Sequence, residues 1–339
     1  MIKDAIKKLA DRIDLSFEEV KEVISEIVEG KAKESQIAAF LTALRIKGER
    51  PEEVLAALSV VREKAKRVSV PYKPLLDIVG TGGDGQKTFN ISTVSAFVLA
   101  GGGVKVAKHG NRALSSLCGS ADLIESLGAR LNQDESEIQR LIEVTGFAFI
   151  FAPFFHPALK QVQKVRQDIG IRTIFNIVGP LANPLSPDYM LLGVAKPEMA
   201  YVYVEVLTKT DVQKAAVYYS LDGLDEISVA QETTVFEIDK ERVKRYSLSP
   251  EEFGIKRAKK EDLLGGDPQK NAFIAKRILS GKERGPKRDV VLLNSGYGFY
   301  LVGKTKSIGE GIEYAKEVID SGLALKVLES YVEESKKCF

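Results

Sequence analysis

The chain has 339 residues, 44% of them apolar, enough for about two domains with a real core. Lys plus Arg total 49 and Asp plus Glu 47, a net charge of +2, which is no electrostatic footprint for nucleic acid or an anionic membrane. The two cysteines, Cys118 and Cys338, form neither a disulfide framework nor a metal quartet. Met1-Ile2-Lys3-Asp4 reads as the start of a charged helix rather than a signal peptide, and no apolar run is long enough to span a bilayer. A cytoplasmic protein with no membrane contact is therefore expected.

Residues 1 to about 70 read as helices only. Ser16 with Glu19 makes a capping box, and Val20, Val23, Ile24, Ile27 and Val28 follow at helical spacing up to Gly30. Ser35 is expected to start a second helix that ends near Gly48, and Pro51 suits the first position of a third. Val70-Pro71-Tyr72-Lys73-Pro74 reads as a stiff connector, which sets domains of 1–70 and 71–339. Beyond it strands are expected at 75–79, 104–107, 147–152, 215–220, 233–238 and 289–294. Most connections are long enough to hold helices, so the fold class is α/β: a small helical N-terminal domain and a large domain with a mostly parallel central sheet flanked by helices.

Between the first strand and the helix near Val94 lies Gly80-Thr81-Gly82-Gly83-Asp84-Gly85. Strand, glycine loop and helix start form a common anion site, because glycines bring backbone N–H groups close and the helix adds unpaired donors. The stretch misses a Walker A loop, since Lys87 comes one residue late. It matches G-x-G-x-x-G in spacing, but Lys108 stands at the end of the next strand, where a ribose-reading acid is expected. Asp84 suits a sugar hydroxyl or a metal-bound water better than a bare phosphate; a plain strand-to-helix turn is the other reading. Lys108-His109-Gly110-Asn111-Arg112-Ala113-Leu114-Ser115-Ser116 is rich in cations and donors at a second strand end, and Ser120 is a phosphate donor or a helix cap. Arg166 stands beside the buried stripe of the helix after His156-Pro157, either solvated or reading a carboxylate with its planar fork. Asp222, Asp225 and Glu226 crowd another strand end, as a solvated acidic turn or as oxygen ligands of Mg²⁺.

The residues taken together resemble the anthranilate phosphoribosyltransferase family. The resemblance runs in fixed order through Gly80–Gly85, Thr88-Phe89-Asn90-Ile91-Ser92-Thr93, Lys108–Arg112, Gly119-Ser120-Ala121-Asp122, Arg172-Thr173-Ile174-Phe175-Asn176, Gly179-Pro180-Leu181 and Asp222-Gly223-Leu224-Asp225-Glu226. It implies the fold shared with pyrimidine nucleoside phosphorylases, with helices from about 157–185 joining the N-terminal domain, and a homodimer formed through that domain. The implied reaction moves the phosphoribosyl group of phosphoribosyl pyrophosphate (PRPP) to the amine of anthranilate, in tryptophan biosynthesis. By the same resemblance, Gly80, Gly82, Gly83, Asp84 and Thr88 cradle PRPP, and Asn90, Ile91, Ser92 and Thr93 hold its pyrophosphate. Lys108, His109, Gly110, Asn111, Arg112, Ala113, Leu114, Ser115, Ser116 and Ser120 contact PRPP. Gly80, Asn111 and Arg166 hold anthranilate, and Ser92, Asp225 and Glu226 bind two Mg²⁺ ions. This chain departs from the family in placing Tyr219-Ser220 where His-Gly is common before the metal loop, and Tyr297 among small residues.

Overall fold

The computed structural model describes residues 1–113, 117–131 and 133–337. Leu114, Ser115, Ser116 and Cys338 therefore lie outside the described residues. Two compact units are present, one of residues 1–67 with 152–184 and one of residues 68–151 with 185–339. The chain passes between them at Arg67–Val68, Phe151–Ala152 and Pro184–Leu185, so the second helical piece starts ahead of the expected 157. Among the described residues, no helix is long and apolar enough to cross a membrane.

The first unit is helical. α1 (Ile2–Ala10), α2 (Phe17–Val28), α3 (Glu34–Lys47) and α4 (Pro51–Glu63) pack with the helices Lys160–Ile169 and Ile174–Val178. The Ser16 box is present: Glu19 N donates to Ser16 Oγ at 3.3 Å and Ser16 N to Glu19 Oε2 at 3.0 Å. Pro51 opens α4, and Glu53 is fully buried behind it. The Glu53 carboxylate accepts from Leu15 N at 3.0 Å, Arg50 N at 2.8 Å and the buried Lys47 Nζ at 2.7 Å. Every oxygen of that carboxylate is thus engaged, and the ion pair ties the end of α3 to the start of α4 and to the α1–α2 loop. Val162 and Val165 of the later helix are buried as expected, whereas Ala158 and Ile169 are only half-buried.

The second unit holds one seven-stranded sheet of order β3-β2-β1-β4-β5-β6-β7. Its strands are β1 (Leu76–Gly80), β2 (Val106–Gly110), β3 (Phe147–Phe151), β4 (Tyr189–Gly193), β5 (Lys214–Ser220), β6 (Thr233–Asp239) and β7 (Arg242–Leu248). β1 to β5 are parallel; β6 and β7 add an antiparallel edge. The order reverses at β1, whose two neighbours are β2 and β4. In such sheets the crevice beyond the carboxyl ends of the strands at that point is where ligands bind. α5 (Ile91–Gly101) and α6 (Pro286–Leu301) cover one face, where a Cβ on Gly298 would come within 2.7 Å of Leu99 and 3.2 Å of Leu191. Lys73, read as part of a connector, is pinned to this unit: its Nζ donates to Leu185 O and Ser186 O and lies 3.2 Å from Asp188.

Three sequence expectations fail here. Residues 289–294 are helix, inside α6. Val290-Val291-Leu292-Leu293 is buried on all sides, and a continuous apolar run looks the same in a buried strand and a buried helix; Pro286 at the first helical position was the deciding signal. β4 was not foreseen, because Tyr189-Met190-Leu191-Leu192 lacks β-branched residues. β7 was not foreseen either: it is an exposed edge strand with a polar sequence. Replacing Glu53 with Ala would leave buried Lys47 with only the exposed Asp14 as its partner and would strand the N–H groups of Leu15 and Arg50, at a cost of about 1–3 kcal/mol. A urea titration followed by circular dichroism should show the midpoint of Glu53→Ala falling accordingly; an unmoved midpoint would mean that the pair contributes nothing.

Candidate functional site

β1 ends at Gly80, and the loop that follows turns on Gly82, Gly83 and Gly85 at φ of +63°, +72° and +71°. Side chains rarely adopt these angles, so the glycines are required by the turn itself. Asp84 folds back on its own loop, accepting from Gln86 N at 3.1 Å, and its carboxylate faces that of Asp225. Gly82 N donates to Asp225 Oδ2 at 2.7 Å. Thr88 pairs as an isolated bridge with Leu264. Asn90 precedes α5 and acts as a node: its Nδ2 donates to Cys118 O at 3.1 Å, and its Oδ1 accepts from Asn271 Nδ2 at 3.0 Å. The side chains of Ile91 and Thr93 are buried, and Ile91 N already donates to Phe89 O at 2.8 Å, so of these two residues it is the backbone N–H of Thr93, in the first turn of α5, that is placed to meet a ligand.

Lys108 and His109 are strand residues, because β2 runs on to Gly110 rather than ending at residue 107. Lys108 is buried; its Nζ donates to Ile78 O and, at 3.1 Å, to Ser92 Oγ. Burial pushes its pKa down, against the pull of Asp77, Glu226 and Asp225. His109 is buried too, and its N–H donates to Asp77 Oδ1 at 3.1 Å. A Cβ on Gly110 would fall 2.3 Å from Ser120 Oγ. Arg112 is committed to Asp122 at 3.2 Å and to both Glu125 oxygens. Ala113 N and Gly119 N both donate to Asp122 Oδ2, and Ser120 Oγ donates to Asn111 O at 3.2 Å. Asn111 itself is exposed, with its side chain turned to Arg112 N. Cys118 is buried and its thiol is pushed up to about 11, chiefly by desolvation, so it is a small inert residue.

Asp225 and Glu226 follow β5 and are both buried. Asp225 is pushed up to about 7, by burial first and then by the charge of Asp84. Glu226 is pushed up to about 8 by burial and Asp225, against the opposing effects of Lys108 and Ser92. Ser92 N donates to Glu226 Oε1 at 3.1 Å, while Glu226 Oε2 is buried without a partner among the described residues. Asp222 is set apart from this pair: its oxygens accept from Leu224 N and Ser228 Oγ, closing the turn. Ser220 Oγ donates to Glu226 O at 2.7 Å, so the departure at this position tethers the acidic turn.

Two repelling carboxylates with an orphaned oxygen call for a cation. No cage of three or more His, Cys, Asp or Glu side chains occurs among the described residues. The oxygen set of Ser92, Asp225 and Glu226 fits Mg²⁺, which binds few protein groups and keeps water or phosphate as further ligands. Sequence reasoning missed three supports of this site. Gly193 was hidden with β4; a Cβ there would lie 1.8 Å from Asp225 O. Asn294 brackets Ile227 by donating to its O at 2.8 Å and accepting from its N at 3.0 Å. Asn271 holds Asn90.

Arg166 belongs to the helical unit, on the helix Lys160–Ile169. It is half-buried, 5.9 Å from the Phe175 ring centroid, and burial lowers its pKa. It makes no ion pair among the described residues.

Two domain models of one glycosyl transferase family match the chain, the helical bundle domain over residues 3–65 and the a/b domain over residues 72–325; the latter span includes 152–184 of the helical unit. Among relatives, the anthranilate phosphoribosyltransferase of Persephonella marina is 46% identical over 337 residues, 99% of each chain. The crystal structure of the same enzyme from Thermus thermophilus superposes with a TM-score of 0.92 at 45% identity, covering 98% of this chain and 100% of that one. The Saccharomyces cerevisiae enzyme, solved with PRPP and Mg, gives a TM-score of 0.91 at 33% identity over 98% and 97%. This chain belongs to the anthranilate phosphoribosyltransferase family.

Gly193 offers a direct test of the site's construction. Gly193→Ala must displace the Asp225 backbone, an overpacking worth about 1–3 kcal/mol. Steady-state assays should show turnover falling at least tenfold while the thermal midpoint drops by only a few degrees. Wild-type turnover in the variant would mean that the loop position is unimportant.

Proposed function

We infer that this chain transfers the 5-phosphoribosyl group of PRPP to the amine of anthranilate, giving N-(5-phosphoribosyl)anthranilate and pyrophosphate in tryptophan biosynthesis. The observation that carries the reading is the convergence, at the carboxyl ends of β1, β2 and β5, of a glycine loop, a helix N-terminus and two buried carboxylates, one with an oxygen unpartnered among the described residues. PRPP is assigned to Gly80, Gly82, Gly83, Asp84 and Thr88, to Asn90–Thr93, and to Lys108–Ser116 with Ser120. Ser92, Asp225 and Glu226 are assigned to magnesium, taken as two ions. When bound, Mg²⁺ would neutralise charge on the departing pyrophosphate.

The C1′–O bond to pyrophosphate breaks and a C1′–N bond forms. The aniline nitrogen is neutral at pH 7 with a free lone pair, so it attacks without a strong base and loses its proton to solvent after bonding. The protein's task is positioning and charge stabilisation. Backbone N–H groups of the glycine loop and of the first turn of α5 supply donors that need no reorganisation. Gly80, Asn111 and Arg166 are assigned to anthranilate, with Arg166 on the carboxylate. A half-buried guanidinium without an anion supports that role, because such a charge is costly until paired. We also assign a homodimer formed through the helical unit, where Ile13 and Ile46 stand 50% and 67% exposed beside the Asp14–Lys47 pair. The reaction is placed in the cytoplasm, with PRPP supplied there.

With PRPP and Mg²⁺ present, the protein should consume anthranilate, seen as loss of its fluorescence; folded protein that leaves the fluorescence intact would sink the assignment. Arg166→Ala should raise the KM for anthranilate by one to two orders of magnitude, the loss of about 1.5–3 kcal/mol of charged hydrogen bonding, and leave that for PRPP nearly unchanged. Equal losses for both substrates would remove Arg166 from the anthranilate site.

A further inference from the structure

Tyr218 of β5 stands in register with Gly193 of β4, which is in register with Gly80 of β1. Registered residues of parallel neighbours share a face, so Gly80, Gly193 and Tyr218 form one row across the carboxyl ends of three strands. The same face carries Ala216 and Leu191, and Leu191 lies against Gly298 of α6. Lacking Cβ atoms, the two glycines leave a trough that Asp225 fills: a Cβ on Gly80 would lie 2.4 Å from Asp225 Oδ2. The Tyr218 ring bounds that trough, 3.0 Å from where a Gly193 Cβ would be. Tyr218 is fully buried, and its hydroxyl has no partner among the described residues. Glu226 Oε2 is buried and partnerless as well. Leaving both unmet would cost about 1–3 kcal/mol each, and buried water is the usual remedy where two or more polar groups face one space. Burial, then the charges of Glu226 and Asp225, keeps the phenol protonated and hence a donor.

We propose that Tyr218 is a positioning residue for the metal: its hydroxyl donates to a buried water, which donates in turn to Glu226 Oε2 and fixes the carboxylate's orientation. This rests on the assignment of Asp225 and Glu226 to magnesium. An outer hydrogen bond of this kind typically sets metal affinity within a factor of about 10–100.

Mn²⁺ alone, titrated onto the full-length protein and followed by the electron paramagnetic resonance signal of the free ion, tests it. Tyr218→Phe should weaken Mn²⁺ binding about tenfold, with kcat at saturating Mg²⁺ within about twofold of wild type. The metal-free variant should melt no lower than wild type, because the lost hydroxyl had no protein partner. Unchanged Mn²⁺ affinity, or a lowered melting point with unchanged affinity, overturns the proposal and leaves Tyr218 as packing. Wild-type binding that survives the Asp225→Asn, Glu226→Gln double substitution overturns the magnesium assignment itself, and the proposal with it.

Discussion

Two like charges buried side by side are the constraint around which this site is built. Asp225 and Glu226 sit at the carboxyl edge of the sheet, with Asp84 adding a third carboxylate nearby. Burial raises their pKa values, so the ionised pair weakens the fold at neutral pH instead of supporting it. The surroundings offset this only in part. Gly82 N and Ser92 N each give one hydrogen bond, and Lys108 supplies one positive charge from below. A divalent cation bound by the native state alone would remove the remaining imbalance. The chain thus carries a local instability that its proposed metal relieves.

The rest of the site follows from making room for that pair. Gly80 and Gly193 are glycines because Asp225 occupies the space their Cβ atoms would need. Lys108 is held by a carbonyl of β1 and by Ser92, so it acts as a fixed counter-charge rather than as a flexible arm. Arg112 is likewise spent on Asp122 and Glu125, where it shapes the loop before α-helical residues 120–126. With both cations engaged, a phosphate would be met mainly by backbone N–H groups and by the end of α5. This accords with a net charge of only +2: anion recognition here is local and directional, not a matter of overall charge.

The sequence disclosed the parts of the site that are made of backbone chemistry and short range. The glycine loop, the capping box at Ser16 and the acidic turn after β5 are contiguous, and their residue types have few other uses. What stayed hidden depends on distant pairing. Gly193 became meaningful only once β4 was seen beside β1, and β4 has an ordinary composition. Asn294 looked like part of a strand, yet it reaches across 67 positions to bracket Ile227. Arg112 and Lys108 stand out in the sequence as cations at a strand end, but charge in a sequence carries no record of its partner. Asp222 is a similar case: it lies near Asp225 along the chain, yet its oxygens are spent on Leu224 N and Ser228 Oγ.

The departures from family pattern show how a fold absorbs unusual polar side chains. Tyr297 is fully buried, but its hydroxyl lies 2.8 Å from that of Tyr246, which donates to Glu237 at 2.6 Å; the group stitches α6 to the antiparallel edge of the sheet. Ser220 is buried and bonds both Glu226 O and Thr233 Oγ1. Each of these hydroxyls has its match inside the protein, so each is explained by packing and hydrogen bonding alone. Tyr218 is close to Ser220 in sequence and is buried as deeply as Tyr297, yet its hydroxyl has no such match among the described residues. A structural role would be filled as well by Phe at that position and would avoid an unmet donor. The oxygen is therefore better accounted for by something the folded chain does not itself contain, and Glu226, whose charge acts on the phenol and whose Oε2 is likewise unpartnered among the described residues, is the group that most needs a partner.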